Sequence, residues 1–396
     1  MKEPRARGSV GGLPITAFSV VNALGGSTAE VLDSLHAGRH GLGPPPPETP
    51  FVTVCGAVRI ELEALDRELS GWDFRNNRLA RRAFLEVEPA LARARERFGA
   101  ARIGLAIGSS TTAMHETELA FAEHLRTGAL PPGFDVQRYA SAEGLLHVMR
   151  ELTGAEGPAI VVSTACSSSA KVFATARRWI DADVVDAVLV GGVDTLCQTT
   201  LRGFRALSLL SAEPARPFSA ERRGINIGEG AAFALIERRG EGPRLLGAGE
   251  SADAHHMSSP DPEGIGARLA MQAALDEAGV SPESVGLVNA HGTGTPKNDA
   301  MEAAAIRAIF GERALTVSTK GYTGHLLGAA GATEAVFVLD ALLRGFVPAS
   351  LGADPVDPEL GIEVPTAPLR RDLRIAISNS FAFGGSNACL VFGAPV

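Results

Sequence analysis

The sequence predicts an α/β protein made by internal duplication, with two sheets flanking shared helices in a five-layer α-β-α-β-α sandwich. Three observations carry that expectation. First, 396 residues with 45% hydrophobic character exceed the usual single-domain length and can bury a large core. Second, the chain repeats its units in order. Arg102 to Ser109 and Ser284 to Thr293 are each a hydrophobic run with one internal glycine that enters a Gly/Ser/Thr loop, while Gly224 to Ile236 and Phe383 to Phe392 are each a Gly-rich turn followed by a strand. Third, aromatics are only 5% against 45 glycines, which suits close helix–sheet packing. The halves are expected at 13–238 and 243–396, joined around Arg239 to Gly242 and preceded by a flexible leader over 1–12.

Taken in order, Ile15 to Leu24 reads as a strand and turn, and Ser27 caps a helix that runs to about His36. Within that helix Val31-Leu32-Asp33-Ser34-Leu35 resembles a phosphopantetheine attachment signature, but the usual glycine is missing and Ser34 reads as ordinary helix. Pro44 to Pro47 must be a surface connection. Arg75 to Phe98 reads as one long helix whose first turns carry Arg75, Arg78, Arg81 and Arg82, either a solvated face or an anion-docking patch.

Val161 to Lys171 is the most informative stretch. β-branched residues lead to a small-residue turn with Cys166 at its corner, and a helical pattern through Ile180 follows. A strand–turn–helix elbow of this kind places the sulfur at a helix N-terminus, where unpaired N–H groups favour thiolate. The plainer reading is a packed free cysteine. Small neighbours on both sides leave room for an approaching substrate and favour a nucleophile. Two partners stand in Gly-rich loops after buried strands: His291 in NAHGTGTP and His325 in STKGYTGHLLGAAG.

The four cysteines Cys55, Cys166, Cys197 and Cys389 lie far apart, without metal-site or disulfide spacing, and imply a reduced, cytoplasmic setting. No apolar run suggests export or a membrane span. A formal net charge of −8 argues against a nucleic-acid partner.

Six motifs in order, STACSSSA, RPFSAERRGINIGEG, DAHHMSSP, NAHGTGTP, STKGYTGHLLGAAG and SNSFAFGGSNACLVF, resemble those of elongating β-ketoacyl-[acyl-carrier-protein] synthases of the thiolase superfamily, with matches from Ile15 to Phe392. The resemblance implies a thiolase-like fold and a catalytic set of Cys166, His291 and His325, with Lys320 paired to Glu334. It implies acyl transfer to Cys166, then decarboxylation of a malonyl-carrier thioester whose carbanion attacks the acyl group. Neutral imidazole N–H groups of His291 and His325 would hold the first oxyanion, and the backbone N–H groups of Cys166 and Phe383 the second. It further implies Thr293 and Thr295 on the amides of a pantetheine arm, Ser258 and Ser259 at its phosphate, and Phe383 as an acyl-sensitive gate, with Phe381 mainly packing. The chain itself needs no bound cofactor or metal, because the phosphopantetheine belongs to the acyl carrier protein. That partner is acidic in such systems, so Arg75, Arg78, Arg81 and Arg82, with Arg202 or Arg205, become candidates for its docking patch. A homodimer or a heterodimer with a chain-length-factor-like subunit is implied as well.

Gly321-Tyr322 stands where housekeeping enzymes of the family carry Ser-Met, and the loop Ser109 to Met114 departs from their version. Thr111 and Met114 are expected to line the acyl pocket near a partner subunit. These departures resemble aryl polyene and related polyene-cluster ketosynthases, with fatty-acid elongation left open. The competing readings are a non-catalytic subunit of chain-length-factor type, which usually lacks the cysteine, and an unrelated Cys-His acyl hydrolase, which leaves His325, Lys320 and the duplication unexplained. A degradative thiolase needs a second acid cysteine, and Cys389 lies within a different motif.

Overall fold

The computed structural model describes residues 11–311 and 315–396. Among the described residues, ten strands form the main sheet, with helices packed on it. The first half supplies β1 (Leu13–Asn22), β2 (Ile103–Gly108), β3 (Ala159–Val162), β4 (Ala187–Asp194) and β5 (Gly230–Glu237). The second supplies β6 (Arg244–Ala252), β7 (Leu287–Asn289), β8 (Leu315–Val317), β9 (Ile375–Ala382) and β10 (Ser386–Gly393). From outer edge to centre the first half reads β3-β2-β4-β5-β1 and the second β8-β7-β9-β10-β6. Each half therefore orders its own strands third, second, fourth, fifth, first. The senses repeat too, parallel for the outer two pairings and antiparallel for the inner two. One difference from expectation is that the two sheets are not separate: Leu13 pairs Leu245 and Pro14 pairs Arg244, joining β1 to β6 in one ten-stranded ladder.

Alternation along the strands builds the layers. In β4, Val188 and Val190 face a central core while Ala187 and Leu189 face an outer one; in β10, Ala388, Leu390 and Phe392 face the centre while Cys389 and Val391 face away. In the first half α1 (Thr28–His36), α2 (Arg75–Phe84), α3 (Glu88–Phe98), α4 (Met114–Thr127) and α5 (Glu143–Thr153) are followed by α6 (Ser168–Asp181) and α7 (Gln198–Ala206). The second half adds α8 (Ile265–Ala278), α9 (Pro296–Phe310) and α10 (Ala330–Arg344). α2, α3 and α5 cover one outer face, α8 and α9 the other, and α6 and α10 lie back to back between the sheets. This is the five-layer sandwich expected. Gly331 makes the central contact possible: a β-carbon there would stand 2.7 Å from the backbone nitrogen of Ala170. Each fully buried Leu, Ile, Val or Phe stabilises the sandwich by about 1.5–3 kcal/mol.

Ser27 caps α1 as read, its hydroxyl accepting from the Glu30 N–H, and Ser34 is buried and donates to the Leu24 carbonyl. The single helix expected over Arg75 to Phe98 is instead two, broken at Leu85 to Val87. Pro89 explains the break, because in a continuous helix it would remove a hydrogen bond and clash with the preceding turn, whereas it is tolerated in the first turn of α3. Of the leader, residues 1–10 lie outside the described residues, and Gly11 and Gly12 are tied through their carbonyls to the Arg244 guanidinium. Among the described residues no helix is long and apolar enough to cross a membrane.

Candidate active site

The elbow after β3 is the sharpest turn in the site. Ala165 adopts a positive φ of 50°, and its carbonyl accepts from the hydroxyls of Ser110 (3.1 Å) and Ser168 (2.6 Å). That conformation costs on the order of 1 kcal/mol or more for a residue with a β-carbon, so the two hydroxyls act as its clamp. Ser167 Oγ reaches across to Ser386 Oγ at 3.2 Å, tying the elbow to the glycine-rich loop of the other half. Cys166 is thereby held at the floor of a cavity of about 360 Å³, only 6% exposed.

His291 follows β7. Its N–H and that of Gly292 both donate to the Glu302 carboxylate of α9 at 2.7 Å, so one buried acid fixes the loop. His325 is clasped from the other half: its N–H donates to the Asn226 carbonyl at 2.7 Å and its carbonyl accepts from the Gly228 N–H at 2.9 Å. The two rings meet edge to face, 5.2 Å apart at 87°. Cys166 Sγ and one nitrogen of each ring all lie within 4.8 Å of one another. Spacing in the sequence shows no such cluster; the fold assembles it. Among the described residues, His291 Nδ1 and both ring nitrogens of His325 have no hydrogen-bond partner.

Burial, reinforced by the Lys320 ammonium, holds both imidazoles well below their ordinary pKa. They are neutral near pH 7, and each carries one N–H. Burial pushes the Cys166 thiol up to about 12, against the lowering effects of Lys320 and of the backbone N–H groups of Phe383 and Cys166 itself. The expectation of a resting thiolate is corrected on this point: burial of the sulfur outweighs Lys320 and the backbone N–H groups. Lys320 Nζ lies 2.5 Å from Glu334 Oε1, both buried, and Glu334 Oε2 has no partner.

Thr293 and Thr295 line the cavity with their hydroxyls 2.8 Å apart, and Ser258 and Ser259 line it as well. Phe383 also lines it, its ring stacked at 5.4 Å on Phe204 of α7; Phe381 is buried and 6.1 Å from the His291 ring. Gly384 adopts φ +80° with open space where a β-carbon would go, so a left-handed turn, not close approach, requires glycine there; at Gly385 a β-carbon would stand 2.9 Å from the Asp253 side chain.

Other candidates lie elsewhere. Thr111 is buried with its hydroxyl donating to Asp194 at 2.7 Å, and neither it nor Met114 lines the cavity. The arginines of α2 are engaged within the chain: Arg75 with Glu229 at 2.5 Å, Arg78 with Asp73 at 2.6 Å, Arg81 with Glu63 at 3.1 Å and Arg82 with Glu86 at 3.2 Å. Arg202 and Arg205 are exposed on α7, the helix that carries Phe204. Sequence reasoning missed Glu302, Asp194 and Phe204. Only an acid on a helix just after the histidine loop hinted at the first.

The family model for "Beta-ketoacyl synthase, N-terminal domain" matches residues 14–241 and that for "Beta-ketoacyl synthase, C-terminal domain" residues 244–354. The 3-oxoacyl-[acyl-carrier-protein] synthase 2 of Vibrio cholerae is 36% identical over 317 residues, covering 74% of this chain and 76% of that protein. Nodulation protein E of Rhizobium meliloti is 32% identical over 400 residues, covering 96% and 98%. One chain of the complex of the ketosynthase ApeO with its chain length factor ApeC from Xenorhabdus doucetiae superposes with a TM-score of 0.90 at 36% identity over the full length of both. With Cys166 and two neutral histidines converging in one cavity, the chain belongs to the beta-ketoacyl synthase family.

Proposed function

We propose that this elongating ketosynthase extends a carrier-bound acyl chain by two carbons, with Cys166 holding the growing chain and His291 and His325 driving decarboxylation. The observation that carries the reading is the convergence of the sulfur and two neutral imidazoles within 4.8 Å. In the first half-reaction the thiol sulfur attacks the incoming thioester, the proton leaves on the departing pantetheine sulfur, and the exchange is proton-neutral overall. A resting thiol is therefore adequate. In the second, the malonyl carboxylate leaves as CO2 and the electron pair moves onto the thioester enolate, whose oxygen accepts from the two imidazole N–H groups. The enolate carbon then bonds to the acyl carbon; the N–H groups of Cys166 and Phe383 hold the tetrahedral oxyanion, and the C–S bond breaks to release Cys166 as a thiolate, which takes one proton from solvent to restore the resting thiol. Lys320 and Glu334 fix the charge beside the histidines without carrying a proton. Thr293, Thr295, Ser258 and Ser259 would seat the pantetheine arm, and Phe383 gates the acyl pocket.

The acyl carrier protein is the proposed partner, docking on Arg202 and Arg205 beside the cavity. We further propose a paired subunit of chain-length-factor type, in a polyene or polyketide-like pathway. Two neighbours with TM-scores of 0.90, the ApeO–ApeC complex and the ishigamide ketosynthase/chain length factor, support that pairing. So do an unfilled apolar face on α4, where Phe121 and Leu125 are 57% and 71% exposed, and the open edge strand β3. Four free, buried cysteines suit the cytoplasm.

Intact-mass spectrometry of the protein with acyl-carrier and then malonyl-carrier, beside Cys166→Ala, tests the reading. An adduct absent from the variant, followed by β-ketoacyl-carrier, is expected. No adduct with any carrier, with or without a second subunit, would make the chain a non-catalytic subunit.

A further inference from the structure

We propose that Cys166, His291 and His325 form a binding site for one soft divalent cation of the zinc and cadmium class, and that its occupancy closes the centre to acyl groups. Three donors from both halves of the duplication converge: the sulfur and one nitrogen of each ring lie within 4.8 Å of one another, all buried. Among the described residues, His291 Nδ1 and both nitrogens of His325 have no hydrogen-bond partner. One thiolate and two imidazoles are a donor set this cation class prefers, and three protein ligands leave a fourth position open toward the cavity. Metal–sulfur and metal–nitrogen bonds of about 2.3 and 2.0–2.1 Å would bring the donors to roughly 3.5 Å apart, a small inward shift.

The step balances without any oxidant. The cation displaces the thiol proton, a metal–sulfur bond forms, and one proton goes to solvent. The Lys320 ammonium opposes the cation, but it is already paired with Glu334, whose second oxygen is unsatisfied. An acylated Cys166 has no thiolate to offer, so acyl group and metal exclude one another.

The test titrates metal-free full-length protein with Zn2+ against a fluorescent chelator, and with Cd2+ while following the sulfur-to-cadmium ultraviolet charge-transfer band. One equivalent should bind. The band should vanish in Cys166→Ala and after alkylation of Cys166 in the wild type, a pair that separates ligand loss from misfolding. His325→Ala should weaken binding by at least about tenfold. No charge-transfer band, or binding unchanged by alkylation, would overturn the proposal. No carrier enters these measurements, so they stand or fall separately from the synthase reading.

Discussion

The two halves share one strand order, yet use equivalent loops for opposite purposes. After β3 a short elbow of five residues presents one nucleophile, whereas after the equivalent β8 a longer loop carries Lys320 and His325 before α10 begins. After β2 the loop is frozen shut: one oxygen of Asp194 accepts from the Ser109 and Thr111 hydroxyls and from the N–H groups of Ser110 and Thr111, all within 2.9 Å. After the equivalent β7, Glu302 accepts from the His291 and Gly292 N–H groups and from the side-chain amides of Asn298 and Asn379, and leaves the His291 ring free to face the cavity. Duplication thus supplied two copies of one frame; in the proposed mechanism one half holds the covalent intermediate and the other supplies the electrostatics.

The largest break of this division comes from Cys166→Ala, which should abolish the covalent adduct and reduce condensation to background, read by intact mass and product formation. His325→Ala and His291→Ala each remove one oxyanion donor and should lower condensation by about 10²–10³-fold while the acyl adduct still forms. Next comes Glu302→Gln. Burial raises the Glu302 carboxyl from 4.5 to about 7, so the folded protein binds a proton there that the unfolded chain has released. That term stabilises fully below pH 4.5 and fades as pH rises through about 7. The wild-type melting temperature should therefore fall more steeply than the variant's between those values; parallel curves would show that Glu302 does not titrate in the fold. The smallest effect is expected from Arg202→Glu with Arg205→Glu, a salt-sensitive rise in KM for the carrier with kcat retained. The same reversal at Arg78 and Arg82 should mainly lower stability, because those guanidiniums already serve Asp73 and Glu86.

The repeated units were legible because strand and loop composition survive in both halves, and the site was legible because Cys166, His291 and His325 each close a hydrophobic run with small residues. What the sequence withheld depends on three-dimensional partners. The α2 arginines read as a basic face only until Glu229, Asp73, Glu63 and Glu86 are brought beside them. The thiol's raised pKa depends on burial of the sulfur, and Thr111 looked available for a pocket because its bond to Asp194 spans 83 residues. The break before Pro89 was within reach of local rules, since proline is tolerated only in a helix's first turn.

The division of labour is tested most directly by single-turnover measurement on His325→Ala, first acylated and then given malonyl-carrier. Full acylation of Cys166 with CO2 release slowed by about 10²–10³-fold is the outcome expected if the second half serves decarboxylation. Loss of acylation as complete as in Cys166→Ala, from a variant whose fold is intact, would show instead that the histidine activates the nucleophile, and that the halves do not divide the reaction in this way.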